Sequence, residues 1–529
     1  MTSTAGMRLD ELLRELPAGT ALVGDPGARV TGVHQDSRQV EPGDLFVARR
    51  GSRADGTGFV AAAIARGATA LLTDAAAELA SEAPPGFPCL RVADVRIGLA
   101  LAAAAVYGHP AFSVDVIGVT GTNGKTTTTH LIRAAVDGAL GRAACGIVGT
   151  VGHSFGSFHA PASHTTPEAD ELARLLKSMH DQGATHVAME VSSIALASRR
   201  VQAVRFRVAA FTNLTQDHLD YHGTMEEYAA AKAELFTSLE PAAAVIHVGD
   251  PFGRALASRV KTRLVRVTAA TSTTAAEAEV APVSVALSAR GIDASIRVPG
   301  GVVSVVSPMF GAHNLENILV ALGVVVALGL DVKRAAEALR TEAGAPGRLE
   351  RCESPDDDVV VLVDYAHTPD ALVRVLACVR GLSTRRTLVV FGCGGDRDRA
   401  KRGPMGRAAA RGADIVIVTN DNPRGESPAE IVRPIVEGLV SEGLEELRGG
   451  ELAAASRGFA TELDRARAIE VAVLAAGSGD TVVICGKGHE EYQIVGDRTL
   501  PFDDRSEARR ALSLRRARAK AAPSPSGAA

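Results

Sequence analysis

The chain has 529 residues, more than one hydrophobic core supports and a natural length for three domains. Its hydrophobic content of 46% and charged content of 22% are those of an ordinary water-soluble globular protein. A net charge of −4 gives no electrostatic footprint for nucleic acid or for an anionic membrane, so local positive charge is aimed at small anions.

The N-terminus, MTSTAGMRLDELLREL, carries acids and no long apolar core, so it reads as an amphipathic helix and not as a secretory signal. Short strands follow, then DSRQVEPGDLFVARRGSRADG, where Asp36, Ser37 and Arg38 precede a Pro-Gly-Asp turn and the strand LFVA. Polar side chains at the mouth of a buried strand suit a ligand; a capped turn with a surface arginine is the plainer reading. FVAAAIARGATALLTD continues as a helix–strand repeat. This first unit spans residues 1–112 and ends at the Gly/Pro-containing stretch GHPAFSV.

VDVIGVT, a β-branched apolar run, leads into GVTGTNGKTTTT at 118–129, and HLIRAAVDGAL then repeats its apolar residues at helical spacing. Strand, glycine turn and helix in this order cradle phosphates. Gly121 and Gly124 allow the tight turn, Lys125 offers a cation to the β/γ-phosphates, and Thr126 offers a hydroxyl to Mg²⁺. The strict phosphate-loop pattern wants another glycine at the place of Val119, so a glycine-rich turn with an incidental lysine is the alternative. Next come Thr165 and Thr166 before Pro167 and Glu168, a helix start with proline in its first turn. The strand HVAMEVSS ends in Glu190, where a carboxylate is placed for Mg²⁺ or simply for solvent. In FTNLTQDHLDYHGTMEEYAAAKAELF (211–236), a polar loop with Asp217, His218, Asp220 and His222 precedes a helix carrying Lys232. Two histidines four apart suggest a transition metal, but the acids around them and the lack of a third soft ligand favour His218 as a neighbour of oxygen and phosphate groups. Residues 270–305 alternate as an antiparallel excursion, and Asn314 opens a helix in GAHNLENILVALG, as a cap or as a ligand contact. The apolar run at 318–330 is too short to span a bilayer and reads as a buried helix. This second unit covers residues 113–345.

The third unit, residues 346–514, begins near Gly347-Arg348-Leu349-Glu350 and the acidic loop Asp356–Asp358. Its strands VVVLVD, TLVVFGC, DIVIVT and TVVIC predict a doubly wound sheet with motifs just after the strands. Those motifs are Asp364 to Pro369; GCGGDRDRAKRGPM, which concentrates Arg397, Arg399, Lys401 and Arg402; TNDNPRGESP; and GKGHEEYQ. Arg424, after Pro423, offers a planar fork to a carboxylate. Residues 515–529 are polar and proline-containing and read as a disordered tail. The six cysteines (89, 145, 352, 378, 393 and 485) are scattered, as buried thiols of a reducing cytoplasm would be.

The run TGTNGKTTT resembles the phosphate loop of the Mur ligase family and its folylpolyglutamate synthetase relatives, and the likeness continues through all three units up to the tail. It implies a three-domain α/β protein: a small N-terminal UDP-binding domain, a central ATPase domain with a phosphate loop, and a C-terminal Rossmann-like domain. It implies an ATP-dependent amide ligase of peptidoglycan precursor synthesis that acts in the cytoplasm as a monomer, with no nucleic-acid or membrane partner. Its substrates would be ATP, UDP-MurNAc-L-Ala-D-Glu and meso-diaminopimelate, with Mg²⁺ as cofactor.

Residue by residue, the resemblance assigns ATP to Gly121, Thr122, Asn123, Gly124, Lys125, Thr126, Thr127, Asn314, Arg348 and Asp364. It assigns the UDP-linked substrate to Ser37, Ser52, Arg53, Ala54, Thr165, Thr166, Ser192, Ser198 and Arg200. The metals fall to Thr126, Glu190, His218 and Lys232, the lysine as a carbamate; Lys125, Glu190, His218 and Lys232 carry catalysis. Family ligases that add diaminopimelate carry D-N-P-R, which lysine-adding members lack. This implies a pocket of Arg397, Asp421, Asn422, Pro423, Arg424, Gly486 and Glu490, the last suited to the distal ammonium. Ile194 stands where the family has a histidine. A lysine-adding or folylpolyglutamate-type ligase, or an inactive nucleotide-binding relative, are the other readings.

Overall fold

The computed structural model describes residues 6–51, 55–77, 83–270, 277–288, 291–354, 356–381, 385–448 and 450–521. Its contacts divide the chain into two units, one of Met1–Ala286, Asp293–Ser307 and Ala312–Glu342, the other of Leu287–Ile292, Pro308–Gly311 and Ala343–Ala529. The first unit contains two α/β sheets and the second a third, so the three expected domains each have a sheet of their own.

The N-terminal sheet runs in the order Ala21–Val23, Cys89–Val92, Ala70–Asp74, Asp44–Ala48, Gly32–His34, parallel except for its first pair. Every residue of Asp44–Ala48 is buried, as the run LFVA requires. The central sheet has eight strands, with Asp115–Thr120 between His186–Glu190 and Phe206–Phe211 in parallel. Because those strands end together, the loops after Thr120, Glu190 and Phe211 gather at one edge of the sheet, where open α/β sheets bind ligands. The apolar run at 318–330, apart from its last two residues, lies in the helix Ala312–Leu328, which is buried along almost its whole length. The alternating stretch forms the strands Ala281–Ser288, Gly291–Val298 and Gly301–Ser307, hydrogen-bonded in that order.

The C-terminal sheet is ordered Glu350–Arg351, Val360–Asp364, Thr481–Cys485, Thr387–Phe391, Ile415–Val418, Gly458–Thr461. All neighbours but the first pair are parallel, and the last strand in sequence of the core, Thr481–Cys485, occupies the middle. The C-terminal boundary differs from expectation. Helix Asp504–Ala521 runs through the first residues of the supposed tail. Arg515 Nε and Nη2 bind Asp358 at 2.8 and 2.9 Å, and Arg516 Nη1 binds Asp357 at 2.8 and 2.7 Å. The acidic loop thus supplies the counter-charges that order this basic segment; residues 522–529 lie outside the described part. All six cysteines are free thiols, five of them buried, and among the described residues no helix is long and apolar enough to cross a membrane.

Candidate active site

The strand Asp115–Thr120 gives way to a four-residue loop and then to the helix Lys125–Leu140. Gly124 has φ 84°, and a Cβ there would run into the Asn317 carboxamide; one on Gly121 would strike the Thr212 hydroxyl. The loop is pinned from the next strand end: Thr122 N donates to Asn213 O at 2.8 Å, Asn123 N to Asn213 Oδ1 at 2.9 Å, and Thr212 Oγ1 to Asn123 O at 2.7 Å. On its other side, Thr128 Oγ1 donates to Asn317 Oδ1 at 3.2 Å, and Asn317 Nδ2 to Asn314 Oδ1 at 3.1 Å. Lys125 Nζ folds back onto Gly121 O and Thr122 O at 2.9 and 3.0 Å. As at any helix N-terminus, the first-turn N–H groups have no carbonyl upstream within the helix, and this end favours negative charge.

Glu190 ends its strand 1% exposed, and its carboxylate gathers oxygen groups. It accepts from Thr126 Oγ1 at 3.0 Å, Thr150 N at 2.7 Å and Thr150 Oγ1 at 3.2 Å, and Thr165 Oγ1 lies 3.2 Å from Thr150 Oγ1. A donor set of hydroxyls and one carboxylate beside a phosphate loop fits a hard cation such as Mg²⁺.

Lys232 lies on the buried face of the helix Met225–Thr237, whose first turn is capped by Thr224. It is 1% exposed, its Nζ sits 4.4 Å from the centre of the Tyr228 ring one turn earlier, and it donates to Gly121 O at 2.9 Å. Burial, with Lys125 adding repulsion, holds its ammonium pKa well below the ordinary lysine value. His218, by contrast, is exposed with φ 52°, and its ring faces Asp217 Oδ2 at 3.6 Å and Tyr228 at 6.2 Å. Among the described residues no group of three His, Cys, Asp or Glu that could hold a metal ion is gathered. His222 is buried with Nε2 2.9 Å from Ser193 Oγ, beside half-buried Ile194.

The threonine pair does not start the following helix. That helix is Ala169–Asp181, capped at Glu168, so Pro167 lies outside its first turn. Thr166 is spent across the sheet edge instead, donating to Glu190 O at 2.9 Å and accepting from Ser192 N at 3.0 Å. Arg200 Nη1 donates to Thr166 O at 2.9 Å, and Glu168 bridges Arg200 at 2.8 Å and Arg49 at 3.3 Å. Arg200 Nε is buried with no hydrogen-bond partner among the described residues. Ser198 donates to Ile194 O, closing its own short helix. Ser37 is half-buried in a 3-10 turn after the strand Gly32–His34, while Arg38 turns to its own Asp36 at 2.8 Å. Ser52, Arg53 and Ala54 lie outside the described residues.

In the C-terminal unit, Asp364 is buried and accepts from Leu349 N and Ala366 N, both at 2.8 Å; burial pushes its pKa up against the pull of Arg348. The Arg348 guanidinium lies 4.7 Å from the centre of the Tyr365 ring. The loop after Thr387–Phe391 packs on the D-N-P-R loop after Ile415–Val418, with Gly395 N donating to Asn422 O at 2.9 Å. Arg424 takes φ 51°, a conformation rare for a side-chain-bearing residue and kept where the surroundings enforce it. Its N–H donates to Ile494 O at 3.1 Å, its carbonyl accepts from Gly496 N at 2.8 Å, and Nη1 donates to Gly395 O at 2.8 Å. Asn422 Nδ2 donates to Glu490 Oε2 at 3.1 Å, and Asp421 Oδ1 is buried without a hydrogen-bond partner among the described residues. Gly486 and Asp421 are also brought together: a Cβ on Gly486 would stand 3.2 Å from Asp421 Oδ2.

The basic loop does not form one patch. Arg402, nearly fully buried, and Arg399 both turn to Glu426, at 3.0 and 3.4 Å, and the Arg402 pair helps push the Glu426 carboxyl down to about 2. Lys401 donates to His367 O at 2.9 Å, which leaves Arg397 exposed near Gly394. Sequence reasoning passed over Asn317, Thr150, Arg49 and Glu168. Asn317 alone had a signal, its spacing of three from Asn314 on one helix face.

One unit thus carries a glycine turn pinned at a helix N-terminus, and the other gathers carboxylates and guanidiniums on the loops after its parallel strands. The chain is a member of the Mur ligase family. The "Mur ligase family, catalytic domain" matches residues 29–107, the "Mur ligase middle domain" 119–325, and the "Mur ligase, glutamate ligase domain" 347–488. A UDP-N-acetylmuramoyl-L-alanyl-D-glutamate–2,6-diaminopimelate ligase of Geobacter metallireducens is 44% identical over 95% of this chain and 97% of its own. One of the same name from Gloeobacter violaceus is 44% identical over 97% and 99%. A solved structure of a ligase with that name matches at 31% identity and a TM-score of 0.68, covering 97% of this chain and 99% of the other.

Proposed function

We propose that the protein catalyses the ATP-dependent addition of meso-2,6-diaminopimelate to UDP-N-acetylmuramoyl-L-alanyl-D-glutamate in the cytoplasm, as a monomer. The observation that carries the amino-acid choice is Arg424. Its backbone is pinned on both sides and one guanidinium nitrogen is held by Gly395 O, so the remaining N–H groups are pre-oriented for a carboxylate. Diaminopimelate has one carboxylate more than lysine, and Arg424 is its natural partner.

In this reading the D-glutamyl γ-carboxylate attacks the γ-phosphorus of ATP, giving an acyl phosphate and ADP. The amino-acid amine then adds to the acyl carbon, and the tetrahedral adduct expels inorganic phosphate. The loop Gly121–Thr127 holds the polyphosphate, and Lys125 swings from its two loop carbonyls to neutralise charge on the transferred group. Arg200 positions the acidic peptide chain, with Thr166 and Glu168 fixing its guanidinium. Mg²⁺, held by Thr126 and Glu190, would neutralise charge on the phosphates when bound. The lowered pKa of Lys232 supports its conversion to a carbamate: a free amine is the form that adds CO₂, and the anionic product is a further oxygen ligand. Purified protein given ATP and Mg²⁺ should release phosphate only when the UDP-dipeptide and diaminopimelate are both present; release independent of either would refute the reading.

A further inference from the structure

The segment Gly486-Lys487-Gly488 places a lysine where none is expected. Gly486 has φ 119° and Gly488 φ 56°, and a Cβ on Gly488 would lie 2.8 Å from Tyr365 Cβ. This turn sends the Lys487 side chain inward, where it is fully buried. Its Nζ donates to Glu490 Oε2 at 2.9 Å and to Asn422 Oδ1 at 3.2 Å, and it stands 3.7 Å from Asp421 Oδ1 and 5.3 Å from the centre of the Tyr492 ring. A buried ammonium persists only with partners of this kind. Its three polar partners are three of the residues assigned above to the amino-acid substrate, so the inference rests on that reading.

We propose that Lys487 is the positioning residue of the amino-acid pocket, acting as an internal counter-ion that holds Asp421, Asn422 and Glu490 in one arrangement. The charges explain why a lysine serves here. Two carboxylates against one ammonium leave a single negative charge in excess, which is what one distal ammonium of an incoming amino acid neutralises. Asn422 completes the link: its Oδ1 accepts from Lys487 and from Ile494 N at 2.9 Å, while its Nδ2 holds Glu490. Lys487 therefore ties the loop after Thr481–Cys485 to the D-N-P-R loop without touching substrate itself. Sequence reading of GKGHEEYQ singled out Gly486 and Glu490 and passed over Lys487.

The test compares wild type with Lys487→Met and Lys487→Arg in the full chain, using whichever amino acid the wild type turns over. Failure of wild type on diaminopimelate would thus count against the proposed function and not against this inference. Expected for Lys487→Met is a rise in amino-acid KM of roughly 10- to 100-fold, the loss of one or two charge-assisted bonds, with the KM values for ATP and the UDP-dipeptide within about twofold of wild type. Lys487→Arg, which keeps the charge, should recover part of that loss. Equal changes in all three KM values, or a fall in kcat alone, would overturn the proposal. If Lys487→Met does not fold, Lys487→Arg decides alone: a selective amino-acid KM increase supports the role, and an unchanged or uniformly shifted set of KM values refutes it.

Discussion

Replacing Asp504 by asparagine removes a charge but almost no volume from the most enclosed ion pair among the described residues of the C-terminal unit. Both side chains are 0% exposed, and Arg465 Nε and Nη2 each meet an Asp504 oxygen at 2.7 Å. The same guanidinium donates to Asn420 O at 3.1 Å and Cys485 O at 3.0 Å, carbonyls at the starts of the two loops proposed to form the amino-acid pocket. Stripping the partner from a buried charge costs about 3–5 kcal/mol, because the remaining ion stays out of water. For a folding unit of about 200 residues each kcal/mol moves the melting temperature by about 2–4 °C, so the C-terminal transition should fall by roughly 6–20 °C. Differential scanning calorimetry of wild type and Asp504→Asn reads this directly. As Arg465 loses its brace, Asn420 loosens next to Asp421, and the amino-acid KM should rise while nucleotide affinity holds. A shift under about 2 °C would refute the energetic argument, and a loss of nucleotide affinity would refute the locality.

Arg424→Ala should raise the diaminopimelate KM by about 100-fold, roughly 3 kcal/mol of charge-assisted hydrogen bonding, and leave the ATP KM unchanged in steady-state assays. Lys232→Ala should lower kcat by about two orders of magnitude or more, with partial rescue by short carboxylic acids; full activity would remove the carbamate from the account. Gly124→Ala, which forces both a φ of 84° and a clash with Asn317, should abolish nucleotide binding measured by titration calorimetry. Burial pushes His153 and His489 down to about 4. Each folded pKa lies below its unfolded value near 6.5, so the unfolded chain binds more protons as pH falls from about 6.5 towards 4 and stability is lost in that window. Urea midpoints should therefore drop between pH 7.5 and 5; a flat profile would contradict it. The depressed Glu426 contributes its stability above the ordinary carboxylate range and loses it only as pH falls from there towards about 2.

The strand–turn–helix order around 118–129 was legible because each part leaves a local mark, and the structure folds all three as the spacing requires. The doubly wound C-terminal sheet was legible from its apolar runs, but not its order: the insertion of Thr481–Cys485 between earlier strands depends on long-range pairing. Charge was the least readable property. The run 397–402 concentrates four basic residues in the sequence, yet Glu426, two dozen residues away, claims Arg399 and Arg402. The basic residues at 515 and 516 looked solvated until Asp357 and Asp358 met them. Thr166 read as a helix cap by local rules, while its actual partner, Glu190 O, comes from a neighbouring strand end. A charged or polar side chain announces its chemistry in the sequence, but its partner is set by the fold.

The central claim is that an acid activated by ATP is joined to an amino acid selected by a second carboxylate. It is tested most directly by mass spectrometry of the product formed from ATP, Mg²⁺ and the UDP-linked dipeptide with diaminopimelate and lysine present in equal amounts. The account predicts the diaminopimelate adduct almost alone, with one ADP formed per bond. A lysine adduct in comparable yield, or ADP formed without any adduct, would contradict it.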